Sequence, residues 1–191
     1  DPAYPVAIDQ TKTGVIGAAC IGCAVSNSER ATNTDPDDYA TITLSASVGV
    51  SGRIAIKDGI TNYPAGYFAG VELSDDSLIN ISLLNMFSLE TFLDGVSQEV
   101  KSEGFSIAST DSALLGTGAR KKLGFVTTKP FDEIVLRVVN LAGAAKTTNV
   151  YNMVVEKYCA GPKLSCDTEY NLVHPTFPVL VDGEHTGFDS A

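Results

Sequence analysis

Short runs of β-branched and aromatic residues, each closed by turn-forming residues, follow one another along most of this chain at spacings that leave little room for helices. Thr41 to Leu44, Arg53 to Lys57, Tyr67 to Leu73, Leu89 to Leu93, Leu123 to Thr128, Ile134 to Val139 and Val150 to Tyr158 are such runs, and their composition is that of half-buried strands. Asp58-Gly59, Asp94-Gly95 and Lys122 to Gly124 supply turn chemistry between them. Leu93-Asp94-Gly95-Val96 is the best hairpin candidate, because Asp-Gly accepts the positive φ angles of a two-residue turn. Asp75 to Phe87 reads two ways: Ile79, Ile81 and Leu83 alternate, while Ile79, Leu83 and Met86 fit one helical face. The expectation is an all-β chain, a β-sandwich of jelly-roll type with at most one or two short helices.

A chain of 191 residues with 44% hydrophobic and 19% charged residues has enough apolar material for one substantial core. The formal charge of -10 repels phosphate backbones, so nucleic acid is not an expected partner. No run approaches the roughly 18 apolar residues of a bilayer span, so direct membrane insertion is not expected either.

The two ends of the chain resemble each other. Pro2, Pro5, Val6, Asp9, Thr13 and Gly14 return as Pro175, Pro178, Val179, Asp182, Thr186 and Gly187, each displaced by 173 positions, while Tyr4 becomes Phe177 and Ile8 becomes Val181. The shared P-x-[YF]-P-V-x-[IV]-D reads as an extended entry strand, since each Pro forbids helix and biases its predecessor toward β. The Thr-Gly that follows is expected to turn the chain. The reading is one β-sandwich repeat module over residues 1–166, then a linker and the start of the next repeat over 167–191. Neighbouring repeats of the same protein are the implied partners. An opening at Asp1, without Met or apolar leader, suggests a mature or excised piece.

Cys20, Cys23, Cys159 and Cys166 form an even set near the two ends of the module, which favours disulfides made in an oxidising compartment. Local pairs would close tight loops, and an end-to-end bridge would be worth roughly 4 to 5 kcal/mol in chain entropy; both pairings stand open. A zinc site is the weaker reading, because the wide second spacing lacks knuckle geometry.

Cys20-Ile-Gly-Cys23-Ala-Val-Ser-Asn27, then Glu29-Arg-Ala31-Thr-Asn-Thr-Asp35-Pro-Asp37-Asp38-Tyr39-Ala40-Thr41, resembles a module repeated in large secreted or outer-surface proteins of the Bacteroidota. Phe125 to Ile134 and Asn149-Val150-Tyr151 fit it too. The resemblance implies a non-enzymatic adhesin or stalk repeat on the outer cell surface, of the kind found in gliding-motility and type IX secreted proteins. Its ligand would be a surface glycan or protein. More remotely, Ala31 to Tyr39 resembles the entry loop of discoidin-like, galactose-binding-like jelly rolls, where such a loop often holds calcium; here Pro36 replaces the usual Gly and no Trp follows. A calcium-dependent carbohydrate-binding module is the second reading. A third is a subunit of an extracellular fibre, assembled by exchanging the Pro-rich entry strand.

At residue level, Asn33, Thr34, Asp35, Asp37 and Asp38 offer the hard oxygens that calcium takes, with Glu156 as a distant ligand. The plain alternative is a solvated Asp-Pro turn. Tyr63, Tyr67 and Phe68 lie in a Gly- and Pro-bearing stretch suited to ligand stacking, or to capping a core. No catalytic residue is assigned. The histidines, His174 and His185, both lie in the terminal segment, so no Ser-His-Asp or Cys-His set falls within the module.

Overall fold

The computed structural model describes residues 5–17, 20–45, 49–74, 85–109, 120–140, 145–157, 163–173, 176, 179 and 181–182. Among these, two antiparallel sheets face each other. One is built from β1 (Val6–Ile8), β2 (Gly14–Ile16), β5 (Ser51–Asp58), β7 (Phe87–Leu93), β8 (Val96–Lys101) and β11 (Glu133–Val139), in the order β1-β5-β11-β7-β8 with β2 also on the outer edge of β5. The other holds β3 (Ala24–Ser26), β4 (Ala40–Leu44), β6 (Tyr67–Ser74), β9 (Ser106–Ser109), β10 (Lys121–Val126), β12 (Lys146–Lys157) and β13 (Val181–Asp182), in the order β13-β9-β10-β6-β12-β4-β3. One 3-10 turn, Ser28–Thr32, links β3 to β4.

Side chains two apart share a face of a strand, so register stacks the apolar positions into cross-strand rows. In the first sheet Ile54, Leu136 and Leu89 are direct partners, and Ile56 and Ile134 pair beside Thr91. In the second, Leu123, Val71 and Met153 form one row and Phe125, Ala69 and Val155 the next. These rows meet in a single core. Ile54, Ile56, Leu89, Leu123 and Ile134 are essentially fully buried, each worth about 1.5–3 kcal/mol relative to exposure.

The expected hairpin forms between β7 and β8, with Asp94 at φ 50° and Gly95 at φ 79°. Lys122 to Gly124 is no turn. It lies inside β10, where Gly124 faces Gly70 across the ladder, and a Cβ on Gly124 would come within 2.4 Å of both the Ala69 carbonyl oxygen and the Phe68 ring. The glycines are there to admit that ring, not to bend the chain. The ambiguous stretch lies outside the described residues over 75–84.

The entry strand forms as β1, but the turn after it comes before Thr13. Asp9 makes it: its Oδ1 accepts from the Thr11 amide and hydroxyl at 2.8 and 2.6 Å, and Lys12 reaches its Oδ2 at 2.7 Å. From the terminal segment, Val181 and Asp182 pair with Ile107 and Ser106 on the outer edge of β9.

Candidate functional site

β12 is much longer than its neighbour β4, and that difference opens a groove. β4 pairs with β12 only as far as Ala40 opposite Val150, while β6 continues alongside to Lys157. Between Val150 and Asn152 the ladder slips by one residue. This bulge at Tyr151 switches the inward-facing positions from Thr148 and Val150 to Met153 and Val155. Beyond the end of β4, the 3-10 turn and β1 close in on the remainder of β12. A groove of about 530 Å³ results, with Val6, Ala31, Tyr63, Met153 and Val155 as its apolar surface and Thr32, Asn33, Thr34 and Asn152 as its polar one.

Tyr63 is fixed before any ligand arrives. Its backbone bridges Phe131 in both directions, N–H to O at 2.7 Å and O from N–H at 2.9 Å, and its ring lies 5.2 Å from that of Phe131. Its hydroxyl donates to Asp58 Oδ2 at 2.7 Å, and Asp58 Oδ1 caps the amides of Ile60 and Thr61 at 2.9 Å each. Burial and the adjoining Asp58 carboxylate push the Tyr63 phenol up to about 12, so it is a neutral donor at physiological pH. Burial pushes the Asp58 carboxyl up, but the Ile60 and Thr61 donors together with the Tyr63 hydroxyl outweigh it and hold Asp58 below its ordinary value.

The polar wall is equally ordered. Asn33 accepts from the Asp35 amide at 3.0 Å and donates to Asp38 Oδ2 at 2.7 Å. Asp35 accepts from the Asp37 amide at 2.9 Å. Arg120 clamps the loop, with Nη1 on the Pro36 carbonyl at 2.7 Å, Nη2 on Asp37 Oδ1 at 2.6 Å, and its guanidinium 3.9 Å from the Tyr151 ring centre. On the far side, the Asn152 amide donates to Glu72 at 3.2 Å.

The structure therefore brings together Asn33, Thr34 and Tyr63, which the sequence had placed in separate sites. Asp35, Asp37 and Asp38 are engaged by backbone, Asn33, Arg30 and Arg120 donors. Glu156 lies apart from them in an ion pair with Lys122 at 2.5 Å. Among the described residues no group of three or more His, Cys, Asp or Glu side chains converges as a metal site. Tyr67 stacks at 6.3 Å behind Tyr63 and packs on the core. Phe68 falls on the opposite face of β6, 1% exposed, with its ring over Gly70 and Gly124, so it offers a ligand no surface. Cys20 and Cys23 are bridged to each other, Cys166 is an exposed free thiol rather than half of a bridge, and Cys159 lies outside the described residues. Val6, Ala31, Thr32, Asn152, Met153 and Val155 were not foreseen; Asn152, a polar residue directly after the parity break at Tyr151, was the one available signal.

No model of a known protein family matches the chain, and no curated protein sequence does. Among solved structures it is similar to the family 32 carbohydrate-binding module from C. perfringens NanJ in complex with galactose, at 10% identity over 76% of this chain and 98% of that one, TM-score 0.37. A second similar structure is CBM32-3 from a family 31 glycoside hydrolase of Clostridium perfringens, at 15% identity over 75% and 90%, TM-score 0.37. The Agl-KA catalytic domain is similar at 14% identity and TM-score 0.33, with 86% of this chain covering 30% of that one.

Proposed function

We propose that this chain is a non-enzymatic binding module whose groove beside β12 takes a carbohydrate. The observation that carries this reading is the convergence on one groove of a locked Tyr63 ring, an apolar floor of Val6, Met153 and Val155, and a rim of Thr32, Asn33, Thr34 and Asn152. A sugar ring has C–H faces that pack on such a floor and hydroxyls that both donate to and accept from amide and hydroxyl groups. Because Tyr63 and Asn33 are already held, little ordering is left for binding to bring about.

In this reading the sandwich presents the groove on a secreted or outer-surface protein, as an adhesin or stalk repeat would. The Cys20–Cys23 bridge fits an oxidising compartment. The test is a glycan array probed with the wild type and with Thr34→Trp, which plugs the groove from an exposed rim position. Selective binding by the wild type, lost by at least tenfold in the variant at unchanged melting temperature, is expected. No glycan bound, or equal binding by both, rejects the carbohydrate reading. A parallel array with chelator decides on calcium: retention without the ion removes it from the site.

A further inference from the structure

The recurrence between the two chain ends is explained by what the first copy does on β5. Every identical position within Pro5 to Gly14 has a task at that edge. The Pro5 carbonyl accepts from Gly59 at 3.1 Å, and Val6 pairs opposite Asp58. Asp9 closes the turn through Thr11 and Lys12 and donates its amide to the Ala55 carbonyl at 3.0 Å. The Thr13 hydroxyl accepts from the Ala55 amide at 3.0 Å, satisfying a backbone donor that no strand reaches. Gly14 holds φ +143° opposite Arg53, a conformation L side chains rarely adopt. Ala7, Gln10, Thr11 and Val15, which are exposed, differ in the second copy, as Leu180, Gly183, Glu184 and Phe188, and Lys12, which pairs with Asp9 and Glu133, is replaced by His185. What recurs is the proline-bounded entry, the Asp that makes the turn, the Thr whose hydroxyl takes the Ala55 amide and the Gly with positive φ.

We propose that residues 175–187 are a second β5-binding hairpin, which docks on the β5 edge of another molecule of this chain in place of that molecule's own residues 2–14. Within its own molecule Val181 and Asp182 of this segment pair with β9 as the two-residue strand β13. β5 of a second copy offers the Gly59, Asp58 and Ala55 partners to which Pro178, Val179, Asp182 and Thr186 correspond by the 173-residue recurrence. Exchange replaces one set of contacts by a similar set, the Lys12–Glu133 pair excepted, so its cost is that of association together with the loss of that pair. The contact is head-to-tail and generates chains. It does not depend on what the groove binds.

The test uses full-length protein with Cys166→Ser throughout. In the first copy Ala7 lies opposite Lys57, so the recurrence places Leu180 of one molecule opposite Lys57 of the next. A donor carrying Leu180→Cys is mixed with a recipient carrying Lys57→Cys under mild oxidation. One chain carrying both Ala7→Cys and Lys57→Cys serves as the geometric control. A concentration-dependent donor–recipient disulfide is expected, lost when Asp182→Ala and Thr186→Val are added to the donor. It should rise severalfold when Gly14→Val loosens the recipient's own hairpin. Closure of the control without any donor–recipient product overturns the proposal, and so does a product indifferent to Asp182→Ala and Thr186→Val.

Discussion

The Tyr63 hydroxyl donates to Asp58 Oδ2 at 2.7 Å, tying the aromatic side of the groove to a carboxylate at the end of β5. Tyr63→Phe keeps the ring and removes the donor. A hydrogen bond to a charged group contributes about 1.5–3 kcal/mol, and Asp58 keeps its two amide donors, so a loss of about 1.5 kcal/mol is expected by urea denaturation. The same bond makes a pH prediction. The folded phenol is held at about 12, above the ordinary value near 10, so its contribution is present below pH ~10 and lost as pH rises toward ~12. Wild type should lose stability over that window more steeply than Tyr63→Phe.

Lys12 reaches Glu133 at 2.8 Å, and the Glu133 side chain has no exposed surface. Lys12→Met leaves that carboxylate buried without its cation, a situation that costs about 3 kcal/mol. Adding Glu133→Gln should recover much of the loss, a coupling that a double-mutant cycle of denaturation midpoints would display. Additive single effects would show that the pair is not coupled.

Arg120 joins the acidic loop to β12 by three contacts, to Pro36, Asp37 and the Tyr151 ring. Lysine cannot reproduce a planar fork stacked on an aromatic ring. Arg120→Lys should therefore speed amide exchange of Asp37 and Asp38 severalfold while the strand amides of β11 keep their protection, measured by hydrogen exchange.

Gly124→Ala should cost about 1–3 kcal/mol, the range for overpacking, because its Cβ would meet backbone at 2.4 Å and the Phe68 ring at the same distance. Adding Phe68→Leu should relieve only the ring part. Thermal melts of the single and double variants separate the two contributions.

Cys166 is exposed and free, while Cys20 and Cys23 are bridged. Maleimide applied to the folded protein should label Cys166 and leave Cys20 and Cys23 unmodified until a reductant is added, as read by peptide mass spectrometry.

The strands that the sequence revealed through their β-rich runs are those in the sheet interiors, while the edge strand β1 was read from its prolines. Arg53 to Lys57, Tyr67 to Leu73 and Ile134 to Val139 each lie within a strand only slightly longer, because burial on one face demands alternating apolar positions and burial on both a near-continuous run. β8, Val-Ser-Gln-Glu-Val-Lys, was signalled only by the Asp-Gly turn before it, because it is an edge strand and largely wet. β2 and β3 are too short to show a period. The site was legible only in fragments. Asn33, Thr34 and Tyr63 were singled out for separate reasons, and what unites them is the different reach of β4 and β12, a property of pairing that no single strand's sequence carries. The Tyr151 bulge hid Met153 and Val155 by breaking the alternation on which strand reading depends.

Tyr63, Met153 and Val155 line the groove and also pack against the hydrophobic core. In the proposed reading, recognition and foldedness share side chains: a change that reshapes the floor of this groove alters the stability of the whole sandwich. New specificities are then most accessible through the polar rim of Thr32, Asn33, Thr34 and Asn152, which lies outside the hydrophobic core, and a molecule seated against the floor would itself raise resistance to heat.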